Sequence, residues 1–136
     1  MAEAYIVAAT RTAGGRRGGR LSGWHSTDLA GLVLDNLIDR TGIDPALVDD
    51  VIMGCVMQVG EQSTNIARNA VLASKLPESV PGTSIDRQCG SSQQAIHFAA
   101  QAVMSGTQDV VIAAGVESMT RTPMGSSLFL AQKANM

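Results

Sequence analysis

Short apolar runs alternate along this chain with amphipathic stretches of helical period, and that alternation constrains the fold more than any other feature. The run at residues 5–9 predicts a strand. Ser26 or Thr27 then caps a helix with the apolar stripe Leu29, Val33 and Leu37, widened by Leu32 and Leu34 and stopped at Gly42. Pro45 after Asp44 predicts a single helical turn. Residues 51–57 read as a buried strand, and Ser63 or Thr64 caps a second helix over 65–76 that Pro77 ends. Residues 82–86 give a short strand. The stretch 91–104 (SSQQAIHFAAQAVM) is a third helix, small or apolar almost all round its second half, which predicts burial on more than one side. Gly106 ends it, and residues 109–116 (DVVIAAGV) form the clearest strand. After Glu117 the pattern fades into loop, with room for one helical turn. The order βαβαβαβ predicts an α/β fold, a mostly parallel sheet with helices on both faces.

A chain of 136 residues can bury one core of ordinary size. Aromatics are 3% of it, so that core must be built from small aliphatic side chains, which suits helices lying close on a sheet. The net charge of −2 argues against a nucleic-acid partner. Arg11, Arg16, Arg17 and Arg20 lie among Gly14, Gly15, Gly18 and Gly19; this reads as a solvated loop, with a phosphate or subunit contact as the alternative. The pattern matches neither the dinucleotide fingerprint nor the P-loop. Residues 1–10 lack the charged start and apolar length of a secretory signal, and no stretch has the apolar length of a membrane span. Cys55 and Cys89 form no CxxC pair and no metal-ligand cluster, so no metal and a reducing, cytoplasmic setting are expected.

Residues 85–94 (IDRQCGSSQQ) carry the chemistry. A strand ends, Cys89 sits at the turn, and a helix begins within a residue or two. A sulfur there faces the unsatisfied N–H groups of the first helical turn, a placement that favours thiolate. Gly90 leaves room for a substrate carbonyl, and the backbone N–H of Cys89 is placed to donate to an oxyanion. The competing reading is a buried structural cysteine, which free cysteines often are. That reading suits Cys55 better, since it falls mid-strand. A nucleophilic cysteine also needs a base within about 3 Å. His97 is eight residues further along the predicted helix, roughly 12 Å at 1.5 Å per residue, and cannot touch the sulfur. His25 precedes the first helix, and nothing in the sequence brings it near Cys89. The residues give a nucleophile without its base.

Together the segments YIVAATRT, GCVMQVGEQSTNIARNAVL, DRQCGSSQQAIHFAAQAV and VVIAAGVESMTRTPMG resemble the thiolase family, in its order and over nearly the whole chain. The cysteine segment is the specific one, because spacing, flanking residues and element boundaries agree there. Asp86 departs from it, since many thiolases carry asparagine at that position. The resemblance implies the N-terminal half of a thiolase-like fold, incomplete. Residues 1–117 would be its α/β domain without the last strand, and residues 118–136 the start of an inserted loop domain. It also implies that Cys89 carries an acyl group between coenzyme A thioesters, with coenzyme A as substrate and no permanently bound cofactor. The family's asparagine–histidine segment, its Gly-His-Pro histidine and its second cysteine have no counterpart here, and no residue is assigned to substrate binding. Family subunits pair through their N-terminal halves, so a homodimer or tetramer, or a second chain supplying the C-terminal half, is expected. The strand leading to Cys89 is the expected element at that contact. The wording of the cysteine segment is closer to the degradative, β-oxidation thiolases. Two alternatives stay open: a non-catalytic partner subunit or inert fragment, and a ketoacyl-synthase-like or sterol-carrier-type member of the same superfamily.

Overall fold

The computed structural model describes residues 3–133; residues 1–2 and 134–136, the outer ends of the two expected domains, lie outside the described residues. In chain order the elements are α1 (Ser26–Thr41), a 3-10 turn (Pro45–Leu47), β1 (Asp50–Gly54), a second 3-10 turn (Gly60–Gln62), α2 (Ile66–Leu72), β2 (Gly82–Ile85), α3 (Ser91–Met104), β3 (Val111–Gly115) and α4 (Ser126–Lys133). Among the described residues the sheet has three strands in the order β2-β1-β3, all parallel. Side chains alternate across the central strand. Val51 and Met53, with Cys55 beyond the strand's end, point into a core with Ala30, Leu34 and Ile38 of α1 and Ile66, Ala67, Ala70 and Val71 of α2. Ile52 points the other way, to Ala95 and Ala99 of α3. Helices therefore cover both faces, as expected, and the parallel connections bring the loops after all three strands to one rim.

The small-residue composition permits close approach between layers. A Cβ on Gly82 would come within 2.7 Å of the Arg68 nitrogen, and one on Gly31 within 2.9 Å of the Ala73 oxygen. At Gly54 and Gly115, register partners on β1 and β3, a Cβ would overlap Ser91 and Ser92 at the start of α3. The helix thus rests on bare backbone.

Several expectations are corrected. Residues 5–9 are extended but unladdered, with Tyr5, Ile6 and Val7 76–86% exposed. A strand exists only by pairing, and the nearest sheet edge, β3, faces this segment across an open cleft of about 1290 Å³. Hydrogen bonds to α1 hold it instead: Arg40 Nη1 donates to the Ala9 carbonyl (2.6 Å), and Thr10 Oγ1 donates to Asn36 Oδ1 (2.7 Å). His25, not Ser26 or Thr27, caps α1, its ring accepting the Thr27 N–H; Gly42 stops the helix in the left-handed region (φ 65°) as expected. Asn65, itself left-handed, caps α2, which ends at Leu72 well short of Pro77 because Ser74 Oγ turns back to the Val71 carbonyl and Asp35 takes the Lys75 N–H. β1 stops at Gly54: the Cys55 N–H still donates to the Ile85 carbonyl, but Glu117, two residues past β3, takes the Val56 and Met57 N–H groups. Helix α3 is covered on one side, and Ile96, Phe98 and Met104 remain exposed on its other surfaces. The final segment forms the eight-residue α4, more than the single turn expected.

Candidate active site

Cys89 is exposed on the turn between β2 and α3. The turn is held from both ends. Asp86 Oδ1 accepts the Gln88 N–H at 2.7 Å, which carries Gln88 into the left-handed region (φ 48°) and folds the chain sharply before the cysteine. Asp86 therefore supplies the side-chain oxygen acceptor that an asparagine would also offer at this position. After the cysteine, Gly90 donates to the Arg87 carbonyl (3.1 Å) and Ser91 to the Gln88 carbonyl (3.0 Å). Ser91 Oγ closes the loop, accepting from the Arg87 N–H (2.9 Å) and donating to the Gln88 carbonyl (2.6 Å). Helix α3 starts from Gly90 with no side-chain cap, so beyond the Ser91 N–H, which the Gln88 carbonyl takes, no side-chain oxygen covers the N–H groups of its first turn. Among the described residues the Cys89 N–H has no hydrogen-bond acceptor. An exposed sulfur on a strained turn, beside an uncapped helix start and at the carboxyl ends of parallel strands, can attack an electrophilic carbonyl and offer N–H groups to the resulting oxyanion.

Cys55 is the opposite case. It lies just past the end of β1, 1% exposed, and burial above all, then the charges of Glu117 and Asp86, pushes its thiol up to about 12. At neutral pH it is a small buried filler, as its sequence position suggested. His97 is exposed on α3, and His25 is committed to capping α1, its Nε2 3.8 Å from Glu61 Oε2. Neither is brought to Cys89 by any described contact. No group of three or more His, Cys, Asp or Glu side chains among the described residues could hold a metal ion. No described helix is long and apolar enough to cross a membrane.

The sequence reading missed a polar hub beside this rim. Gln62, fully buried, donates to the Met57 carbonyl and to Glu117 Oε1 (both 2.9 Å) and lies 3.5 Å from Cys55 Sγ; its own oxygen accepts from the Ser118 N–H (2.8 Å) and Ser26 Oγ (3.2 Å). Glu117 also accepts the Val56 N–H (2.7 Å) and the Met57 N–H (3.3 Å), the bonds that end β1. Adjacent Glu61 accepts from Ser26 N–H and Oγ and from Arg121 Nε, and pairs with Arg121 Nη2 at 2.7 Å. The Arg121 guanidinium, with the Ser26 donors, holds the Glu61 carboxyl down to about 2 against the opposing effect of partial burial. Two signals were legible: a glutamate directly after the most apolar strand, and a Glu-Gln pair just before a helix.

The thiolase N-terminal domain family matches residues 4–136. The chain is 56% identical over 133 residues to a steroid 3-ketoacyl-CoA thiolase of Mycobacterium tuberculosis, covering 98% of this chain and 33% of that protein. It is 49% identical over 124 residues to a β-ketoadipyl-CoA thiolase of Escherichia coli, covering 90% and 31%. The crystal structure of the Bacillus anthracis acetyl-CoA acetyltransferase superposes with a TM-score of 0.73 at 42% identity, over 78% of this chain and 27% of that one. The chain thus spans about a third of the length of the curated relatives it matches.

Proposed function

Because the chain belongs to the thiolase family, we propose that it carries the nucleophile of a coenzyme A-dependent acyl transfer, with Cys89 as the acyl-bearing residue. The observation that carries this reading is the exposed sulfur on the strained turn at the uncapped start of α3. The Cys89 thiolate attacks the 3-keto carbon of a 3-ketoacyl-CoA. The bond between C2 and C3 breaks, its electron pair stays on C2, and protonation there releases acetyl-CoA. The acyl group remains on the sulfur as a thioester. The thiol of a second coenzyme A loses its proton to a base, attacks that thioester, and leaves as acyl-CoA with the thiolate restored. The condensation runs the same steps backwards. The Cys89 N–H serves as one oxyanion donor. The names of the relatives, a steroid 3-ketoacyl-CoA and a β-ketoadipyl-CoA thiolase, favour the degradative direction.

No histidine is brought to Cys89 by a described contact, so we assign the proton carrier to sequence beyond these residues, in the same polypeptide or in a second chain. Residues 1–117 are then the α/β domain without its last strand, and the open edge of β3 across the cleft from residues 5–9 is the place for that strand. Residues 118–136 begin an inserted domain. Pairing of N-terminal halves through the β2 edge and a cytoplasmic location belong to the same proposal. Cleavage of acetoacetyl-CoA and of a longer 3-ketoacyl-CoA, by the 136-residue chain with and without the remaining sequence, tests it. Turnover is expected only in the completed enzyme and is lost in Cys89→Ala. Activity of the lone chain that Cys89→Ala abolishes would reveal a base within these residues, and full activity of completed Cys89→Ala would remove the nucleophile assignment.

A further inference from the structure

The start of α3 rests on two glycines with no slack. Gly54 and Gly115 are paired across the sheet, the Val116 N–H donates to the Gly54 carbonyl at 3.1 Å, and a Cβ on either glycine would overlap Ser91 or Ser92. The other end of the Cys89 turn is tied to the same place, because the Cys55 N–H donates to the carbonyl of Ile85, the residue before Asp86. Both ends of the turn therefore take their position from the exits of β1 and β3. Two residues beyond Gly115, Glu117 reaches back to the exit of β1, where its carboxylate accepts the Val56 and Met57 N–H groups and the Gln62 amide, while Gln62 in turn receives the Ser118 N–H. A partly buried carboxylate satisfied by three donors is a stiff joint, since releasing any donor leaves a polar group poorly paired.

We propose that Glu117, with Gln62, is a positioning residue for the acyl-transfer chemistry: it clasps the exits of β1 and β3 and so fixes the glycine platform that sets the place of Cys89. The inference rests on the reading of Cys89 as the acyl carrier and deepens it. Glu117 touches no reacting atom. Its carboxylate holds residues 56 and 57 against residue 117, and the platform passes that registration to Ser91, Ser92 and the turn before them. Loss of the clasp is therefore expected to act on the chemical step rather than on substrate affinity.

The test is Glu117→Gln in the full-length enzyme, assayed with acetoacetyl-CoA. Its amide keeps one acceptor oxygen and replaces the other with NH2, so a donor faces either the Val56 N–H or the Met57 N–H and Gln62 amide, and one arm of the clasp opens at nearly constant volume. Because misplacement of a reacting group by about 1 Å can cost on the order of 100-fold, kcat is expected to fall about 10- to 100-fold with KM within about twofold. Glu117→Asp, which keeps the charge but shortens the reach, is expected to fall between the two. A folded Glu117→Gln enzyme with kcat within twofold of the parent overturns the proposal, as does a joint loss of kcat and KM that tracks melting temperature. Should neither variant fold, amide hydrogen exchange in the parent decides: the Val56 and Met57 N–H groups must be as protected as Met53, and loop-like exchange there overturns the clasp. Full turnover of Cys89→Ala would instead overturn the acyl-carrier reading, whatever these exchange rates show.

Discussion

The two cysteines sit at the ends of neighbouring strands, joined by the hydrogen bond from Cys55 N–H to the Ile85 carbonyl, and they differ in almost every respect that governs sulfur chemistry. Cys89 is exposed on a turn whose backbone is pinned by Asp86 and Ser91, beside helix N–H groups that no side chain caps. Cys55 is sealed among apolar side chains, with two carboxylates near enough to raise its thiol further. Residue type is the same and the backbones are close, so the difference comes from surroundings. Both regions share the glycine platform and the Glu117 clasp. One rigid rim thus silences one sulfur and presents the other.

Alkylation with iodoacetamide breaks or confirms this contrast most directly, and it carries the largest expected effect. A thiol raised to about 12 is ionised at pH 7 to only roughly one part in 10⁵, and its burial denies access to the reagent as well, whereas the Cys89 sulfur is exposed. Mass spectrometry of the native protein should find Cys89 modified first, with Cys55 following only on unfolding. Equal labelling, or labelling at Cys55 first, would end the contrast.

Much of this rim could be read from the chain. The helix 91–104 and the turn before it were legible because apolar periodicity, Gly90 and Gly106 agree on both boundaries. Strand β3 was legible because a run of five apolar residues ending in glycine has few alternatives. The segment 5–9 was misread for a reason its own residues cannot reveal: it has strand composition, but a ladder needs a neighbour. Cys55 was placed mid-strand because only Glu117, more than sixty residues later in the sequence, ends β1 at Gly54. The hub of Glu61, Gln62, Glu117 and Arg121 was missed for the same reason, since hydrogen bonds between loops leave no periodicity. The Cys89 turn announced itself locally, whereas the parts that position it are long-range.

Gly54→Ala is the next largest effect. The added methyl falls on Ser91 and Ser92 backbone, which cannot rotate away, so the helix start must lift. Overpacking of this kind costs about 1–3 kcal/mol or more. The displacement should reach Cys89 and spare Cys55, which lies on the opposite face of β1. Denaturant unfolding measures the first part. A changed alkylation rate at Cys89, with Cys55 still protected, measures the second. Unchanged stability would mean that the helix start is not seated on the glycines.

A smaller effect separates the clasp from its neighbour. Glu61 holds Arg121 and the first turn of α1 and bonds to neither cysteine, so Glu61→Gln should lower stability by about 1–3 kcal/mol without altering the order of thiol reactivity. The sign with pH follows from a folded value near 2 against an ordinary 4.5. The contribution of Glu61 is fully present above about 4.5 and declines as pH falls from there toward 2. The stability difference between parent and Glu61→Gln should therefore shrink across that window and be flat from pH 5 to 7. A difference that grows on acidification would contradict the ion pair.

The smallest expected effect is the one that tests what Cys89 lacks. His97 is the histidine on the same helix as the cysteine turn, and a cysteine nucleophile with a histidine nearby invites a pairing. The helix argues against it. His97 lies eight residues beyond Cys89, all but the first two within α3, so at 1.5 Å per residue the axial separation is about 9–12 Å, against the roughly 3 Å that proton transfer needs. Its side chain is exposed, and among the described residues it makes no hydrogen bond and no ion pair that would swing it toward the turn. Surface substitutions of that kind change stability by about 0.5 kcal/mol or less. In the completed enzyme His97→Gln should leave kcat and KM within about twofold of the parent, whereas loss of a general base typically costs on the order of 10²–10⁴ in rate. A fall of that size, with unchanged melting, would place the missing base on α3. It would also require the helix or the turn to move during turnover, because the distance cannot be closed by rotating the imidazole alone.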